Sequence, residues 1–207
     1  NRGSAVRVYI LLLLFPTSGC PLPQQATTYC AFDESSPLHS VTIMSSAAPA
    51  ITENSEENHM KRIESAKNNT VKELSKLHRK KERDRQQRFL VEGEHMVQEA
   101  LEAGLLETLF ILDTHDIPDW VPESASVICT QPVLNRLSLQ ESDPWIIGAV
   151  RKPDCHIPAA LQRVLLLDDV QDPGNLGTLI RSACSFGISA VYCTSHCADP
   201  FGPKALQ

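Results

Sequence analysis

From residue 61 onward, apolar and polar positions alternate in short blocks whose spacing switches between helical and extended. Val71, Leu74 and Leu77 recur at helical spacing inside an otherwise polar stretch, predicting one helix with a single apolar face over 67–88. Phe89, Leu90 and Val91 read as a strand ended by Gly93. Residues 94–103 read as a helix with Met96, Val97, Ala100 and Leu101 inward and Gly104 as its stop. Leu109 to Leu112, Val127 to Cys129 and Ile146 to Val150 are three further strands. Thr130 and Pro132 open a short helix ending at Leu137. This alternation predicts a compact α/β domain at 60–150. Residues 151–160, with Pro153 and Pro158, read as a linker. A second unit follows. Val164 to Leu167 is a continuous apolar run, expected of a strand buried on both faces of a parallel sheet. Residues 168–175 read as a loop, 176–186 as a helix stopped by Gly187, and Ala190 to Cys193 as the next strand. That strand–loop–helix–strand order suits a parallel crossover.

Residues 1–57 differ. Arg2 and Arg7 precede a short apolar run from Val8 to Phe15 broken by Pro16, and a Ser/Thr/Pro/Ala-rich stretch extends to Ala50. Three readings stay open: a signal peptide, an organellar transit peptide, or non-native sequence before Met44. In each, 1–57 is a disordered leader or targeting segment. The leader makes an organelle, chloroplast or mitochondrion, the expected location, with the cytoplasm as alternative. No apolar run reaches the ~18–20 residues needed to span a bilayer, so no membrane role is expected.

Charge changes the picture more than composition does. The 207 residues carry a formal net charge of −6, which looks wrong for a nucleic-acid binder. Residues 61–88, however, hold 11 of the 19 basic residues and four acids, a local +7 against −13 elsewhere. The seven cysteines are scattered and odd in number, which argues for a reducing compartment rather than a disulfide framework. Cys193, His196 and Cys197 invite a zinc reading, but no second ligand pair stands at zinc spacing, and no metal is expected.

The chemistry-bearing stretch is Asp172-Pro173-Gly174-Asn175-Leu176-Gly177-Thr178-Leu179-Ile180-Arg181, at the carboxyl end of a strand, where open α/β sheets place ligands. It is neither a Walker A loop nor a GxGxxG fingerprint. Gly174 and Gly177 would let backbone approach a ligand, Asn175 can donate and accept, and Arg181 brings a fixed cation one and a half turns into the helix. On these grounds a phosphate-bearing ligand and an ordinary strand–helix turn are both open.

The stretch from Leu165 to Gly187 closely resembles the first motif of the SpoU/TrmH-type RNA methyltransferases of the SPOUT superfamily. Asp172-Pro173, Asn175, Gly177, Arg181, Ala183 and Phe186-Gly187 carry the resemblance. Asp199-Pro200-Phe201-Gly202-Pro203-Lys204-Ala205 resembles that family's next segment. Upstream, Ser65, Asn68, Val71-Lys72, then Arg88 to Gly93 and Glu99-Ala100-Leu101, resemble its ribosomal-protein-like substrate-binding domain. The resemblance covers 61–207.

It implies an α/β fold: a small ribosomal-protein-like substrate-binding domain at 60–150, then at 161–207 the first part of a SPOUT (α/β knot) methyltransferase domain. The implied reaction moves a methyl group from S-adenosylmethionine to a ribose 2′-hydroxyl of tRNA or rRNA. Arg181 and Asn175 are the implied catalytic residues. A guanidinium stays protonated, so Arg181 suits clamping a phosphate and offsetting oxyanion charge better than general-base work. The competing readings are a surface ion pair for Arg181 and a loop cap for Asn175. Ser65, Asn68, Lys67, Lys72, Lys76, Arg79, Lys80 and Arg83 are the implied RNA contacts, with a solvated helix face as the competing reading. No aromatic precedes Phe89 in the basic segment, so shape recognition is expected there rather than base stacking.

The first residue is Asn rather than Met, and residues 203–207 read as the opening of a helix. The sequence therefore reads as a fragment. The family's later motifs, most of its S-adenosylmethionine pocket and much of its homodimer interface are expected beyond Gln207. The chain by itself is expected to be inactive. The alternative of another class is a non-catalytic RNA-binding module using 60–150 alone.

Overall fold

The computed structural model describes residues 60–139, 143–153, 163–188 and 190–206. The leader reading of 1–57 and most of the linker reading fall outside these residues.

The first unit is a five-stranded mixed sheet of β1 (Lys61–Ile63), β2 (Arg88–Glu92), β3 (Leu106–Leu112), β4 (Ser126–Cys129) and β5 (Ile146–Arg151), in the order β1-β4-β3-β5-β2. β1 and β3 flank β4 in parallel, and β5 runs antiparallel to β3 and β2. Four strands stand where the apolar runs predicted them. β1 is an addition: it is three residues long, pairs on one side only, and buries just Ile63, so it leaves no pattern to read.

The single helix expected over 67–88 is two helices, α1 (Asn69–Ser75) and α2 (Lys80–Gln86), joined by a 3-10 turn at Lys76–His78. The break is at Arg79, whose backbone is extended at φ −98°, ψ 132°. In an unbroken helix of 3.6 residues per turn, Arg83 would lie ~120° around from Leu77. The break lets both face inward: Leu77 is 2% and Arg83 5% exposed. α3 (Glu94–Glu102) follows β2 and buries Val97 and Ala100, while Met96 and Leu101 are only half-buried. It ends at Gly104, whose φ of +66° suits a residue without Cβ. There Leu105 N–H reaches back to the Ala100 carbonyl, closing a Schellman-type stop. α4 (Gln131–Leu137) buries Val133, Leu134 and Leu137.

The second unit pairs β6 (Val164–Leu167) with β7 (Ala190–Cys193) in parallel, Val164 opposite Ala190 and Leu167 opposite Cys193. α5 (Pro173–Ser185) connects them, and α6 (Pro203–Leu206) packs on α5. α5 stops at Gly187 (φ +65°), where Ile188 N–H bonds the Ala183 carbonyl. The expectation that β6 is buried on both faces fails. Leu167 is buried, but Val164 is 47% and Leu166 64% exposed. Among the described residues, α5 and its neighbours cover one face of β6 and nothing covers the other.

Side chains alternate across the five-stranded sheet as strand geometry requires. Phe110, Val127 and Ile147 face α1 and α4, with Val71, Leu74, Leu77, Val133, Leu134 and Leu137. Leu109, Ile111, Ile146 and Val150 belong to a second cluster, which continues without interruption into Leu167, Leu176, Ile180, Phe201 and Leu206. The two units therefore share an apolar core.

Candidate active site

α5 begins where the loop after β6 ends. Asp172 caps it, its Oδ1 accepting the Asn175 N–H at 2.7 Å, and Pro173 occupies the first turn, where no backbone donor is needed. The helix thus starts at Pro173 rather than Leu176. This places Asn175 inside the first turn and Arg181 more than two turns in, deeper than the expected one and a half.

The two motif glycines differ in their surroundings. A Cβ on Gly177 would lie 2.2 Å from the Ala205 carbonyl oxygen, so its small size is what seats α6 against α5. A Cβ on Gly174 would meet only Asp172 Oδ1, at 3.3 Å.

Arg181 is half-buried. Its Nη1 donates to the Ala205 carbonyl at 3.4 Å and its Nη2 to Thr178 Oγ1 at 3.3 Å, while Thr178 Oγ1 donates to the Gly174 carbonyl at 3.0 Å. Among the described residues no carboxylate pairs with Arg181. Its charge is held by neutral oxygens and remains available to an anion. Asn175 is exposed, and its side-chain amide makes no hydrogen bond among the described residues. Six residues separate the two, ~9 Å along the axis and ~120° around it. They share a helix without meeting.

The loops after β6 and β7 are stitched by Cys197, whose Sγ lies 3.4 Å from both the Leu167 carbonyl and the Val170 N–H. Ala198 N–H bonds the Val170 carbonyl at 2.9 Å. Burial, with Cys197 beside it, pushes the Cys193 thiol up to about 12, with Lys80 opposing in part. His196 is exposed. Among the described residues no group of three or more His, Cys, Asp or Glu side chains could hold a metal.

The basic segment divides in two. Ser65 Oγ accepts the Lys67 N–H at 3.2 Å, and Asn68 Oδ1 caps α1 by accepting the Thr70 N–H at 2.8 Å. Both side chains are thus already used in shaping the start of α1. Lys67, Lys72 and Arg79 are exposed; Lys76 is exposed and paired with Glu73 at 2.5 Å. Lys80 is half-buried, close enough to Cys193 to influence its thiol.

Arg83 departs from the expected RNA contact. Its side chain is 7% exposed. Nε and Nη2 donate to Asp199 Oδ2 at 2.9 and 2.6 Å, and Nη1 donates to the Leu77 and His78 carbonyls at 2.7 and 3.0 Å. Four of its five N–H donors are thus committed inside the protein, and its burial turns the side chain away from a phosphate in solvent. Next to it, Asp84 Oδ1 accepts from buried Lys152 Nζ at 2.7 Å, and that ammonium lies 4.6 Å from the centre of the Phe201 ring. Phe201 in turn packs at 5.1 Å on Phe89 of β2. Asp199 and Lys152 were not legible as site residues. Asp199 lies 116 residues from Arg83, beyond any local pattern.

Comparisons with known proteins follow the same division. Residues 68–148 match the MRM3-like substrate binding domain and residues 162–207 the SpoU rRNA Methylase family. The chain is 41% identical over 153 residues to the 23S rRNA (guanosine(2553)-2'-O)-methyltransferase RlmP of Bacillus subtilis, covering 72% of this chain and 60% of that protein. It is 28% identical to the human mitochondrial rRNA methyltransferase 3, over 60% of this chain and 33% of that protein. Among solved structures, it resembles an RNA 2'-O ribose methyltransferase (TM-score 0.55, 31% identity, 70% of this chain and 59% of that one). It also resembles the SpoU methyltransferase AviRb from Streptomyces viridochromogenes in complex with AdoMet (TM-score 0.60, 25% identity, 68% and 58%). The chain spans about 60% of the first relatives it matches. Over residues 162–207 the chain is thus similar to the SpoU rRNA methylase family, and over 68–148 to the MRM3-like substrate binding domain.

Proposed function

We propose that the protein takes part in S-adenosylmethionine-dependent methylation of a ribose 2′-hydroxyl in RNA, with rRNA the favoured substrate and tRNA the alternative. The observation that carries this reading is Arg181. It is a half-buried cation in the family motif, at the helix that follows a parallel strand, held by a carbonyl and a hydroxyl rather than by a carboxylate. A relative named as a 23S rRNA 2′-O-methyltransferase and a similar solved structure named as an RNA 2′-O ribose methyltransferase support the reaction class.

In this reading the ribose oxygen forms a bond to the methyl carbon, the carbon–sulfur bond breaks with its electrons left on sulfur, and the hydroxyl proton passes to solvent. S-adenosylmethionine would supply the electrophilic methyl group. Glu99 Oε2, the one buried polar side-chain atom without a partner among the described residues, belongs to α3 rather than to the motif helix. We assign the described motif residues to the RNA side of the reaction. Arg181 clamps the phosphate beside the reacting ribose and offsets charge developing on the oxygen, and much of the acceleration comes from alignment. Asn175, whose amide is uncommitted, contacts the ribose or its neighbour. Lys67, Lys72, Arg79 and, more weakly, Lys76 and Lys80 meet phosphates, with Ser65 and Asn68 shaping the loop that presents Lys67. Homodimer formation and an organellar location belong to the same reading. The latter is supported by mitochondrial relatives, with the cytoplasm as alternative.

The test is incubation of the complete protein with radiolabelled S-adenosylmethionine and total rRNA, followed by nuclease digestion. Label in 2′-O-methylated nucleosides is expected, and Arg181→Ala abolishes it. Binding of RNA without any label would overturn the enzyme reading and favour a binding module.

A further inference from the structure

We propose that Arg83 and Asp199 are positioning residues that aim Arg181, through α6, at the RNA. This rests on the methyltransferase reading above. The path is continuous. Arg83, on α2 of the RNA-facing unit, grips Asp199 Oδ2 with two nitrogens, at 2.9 and 2.6 Å. Asp199 organises the turn that launches α6: its Oδ1 accepts the Phe201 N–H at 3.1 Å, and its carbonyl accepts the Gly202 N–H at 3.0 Å. The Gly202 carbonyl accepts the Ala205 and Leu206 N–H groups of α6 at 3.0 and 3.2 Å. The Ala205 carbonyl then lies against Gly177 and accepts from Arg181 Nη1 at 3.4 Å. A shift of the Asp199 turn is thus transmitted to the guanidinium through a single turn of helix.

The neighbouring residue on α2 adds a second contact between the units, made through the Phe201 side chain rather than through the turn's hydrogen bonds. Asp84 holds the Lys152 ammonium, which lies over Phe201, itself packed on Phe89. Apolar packing alone would have glued the units together, since a well-packed hydrophobic pair is commonly as stable as a buried ion pair. An ion pair with side chains 7% and 8% exposed adds direction, because two guanidinium N–H groups converge on Asp199 Oδ2 while Oδ1 is held by the Phe201 N–H, which fixes the carboxylate's orientation. The unit that carries the exposed lysines thereby sets the pose of the unit that carries the motif.

The test uses the complete protein and four variants: Asp199→Asn, Arg83→Lys, the exchange Arg83→Asp with Asp199→Arg, and Phe201→Leu. Phe201→Leu loosens the same interface without touching the ion pair. Three quantities are read: kcat and KM for methylation of rRNA, affinity for a fluorescent rRNA fragment, and the Arg181 Nε–H resonance by NMR. Asp199→Asn is expected to lower kcat at least tenfold, keep RNA affinity within about twofold and move the Arg181 resonance. Arg83→Lys, which keeps charge and loses the fork, falls between it and wild type. The exchange recovers part of kcat, and Phe201→Leu leaves kcat within about twofold at a comparable loss of stability. Equal loss of kcat in Asp199→Asn and Phe201→Leu, or an unmoved Arg181 resonance in Asp199→Asn, overturns the proposal. If the wild-type protein labels no RNA, the methyltransferase reading falls. The NMR comparison still decides whether Asp199 sets the Arg181 environment.

Discussion

Gly177 offers the sharpest test of how α6 is seated. Alanine there places a Cβ 2.2 Å from the Ala205 carbonyl oxygen, 3.0 Å from its carbon and 3.1 Å from Arg181 Nη1. Comfortable separations between non-bonded heavy atoms are ~3.5 Å, so about 1 Å of movement is required. The obstructing atoms are backbone, so no rotamer change relieves the clash. Two terms oppose each other. Alanine gains up to ~1 kcal/mol of helix propensity over glycine, while overpacking costs ~1–3 kcal/mol. Gly174→Ala, in the same helix, has the first term with little of the second, since its Cβ meets only the Asp172 carboxylate oxygen at 3.3 Å. The difference between the two variants therefore isolates the packing cost. In urea unfolding followed by far-ultraviolet circular dichroism, Gly174→Ala is expected to be neutral or slightly stabilised, with Gly177→Ala ~1–3 kcal/mol below it. The same displacement moves the Ala205 carbonyl away from Arg181, so methyl transfer falls as well. A Gly177→Ala protein as stable as Gly174→Ala would show that α6 does not approach α5 as described.

Burial holds the Cys129 and Cys193 thiols up at about 12, so neither is expected to react with a disulfide reagent at pH 8 until urea unfolds the chain. Rapid modification of either in the native protein would contradict their placement. Glu99 is buried on α3 with one oxygen unpartnered, and desolvation raises its pKa above the ordinary carboxylate value. The unfolded chain thus ionises it first, and its stabilising protonation is lost as pH rises through the folded value. Glu99→Gln should therefore stabilise at pH 7, an advantage that vanishes below about pH 4, where the carboxyl is protonated in both states. Equal stability of the two proteins at pH 7 would refute it. Lys72→Ala and Arg79→Ala should each flatten the plot of log affinity against log salt by ~0.7 for a single-stranded RNA. An unchanged slope would remove that residue from the interface.

Local pattern determined a good deal of this protein. Four strands of the first sheet and both strands of the second stand where apolar runs predicted them, because strand burial imprints itself residue by residue. Gly104 and Gly187 were readable as helix stops because a positive φ is a local demand. The segment with Asp172, Asn175 and Arg181 was readable as motif, although Asp172, as cap, starts its helix earlier than the apolar residues suggest. Tertiary structure decided the rest. β1 exists through its pairing with β4, a contact across 66 residues that three residues cannot announce. The basic segment reads as one helix and breaks at Arg79, because only a break turns Arg83 inward along with Leu77. Arg83 was indistinguishable from its exposed neighbours until Asp199, 116 residues away, came to meet it. Charge along a chain is a local quantity. Whether a charge faces solvent or is enclosed by a partner depends on long-range packing, and that packing turned one of the expected RNA contacts into the ion pair joining the two units.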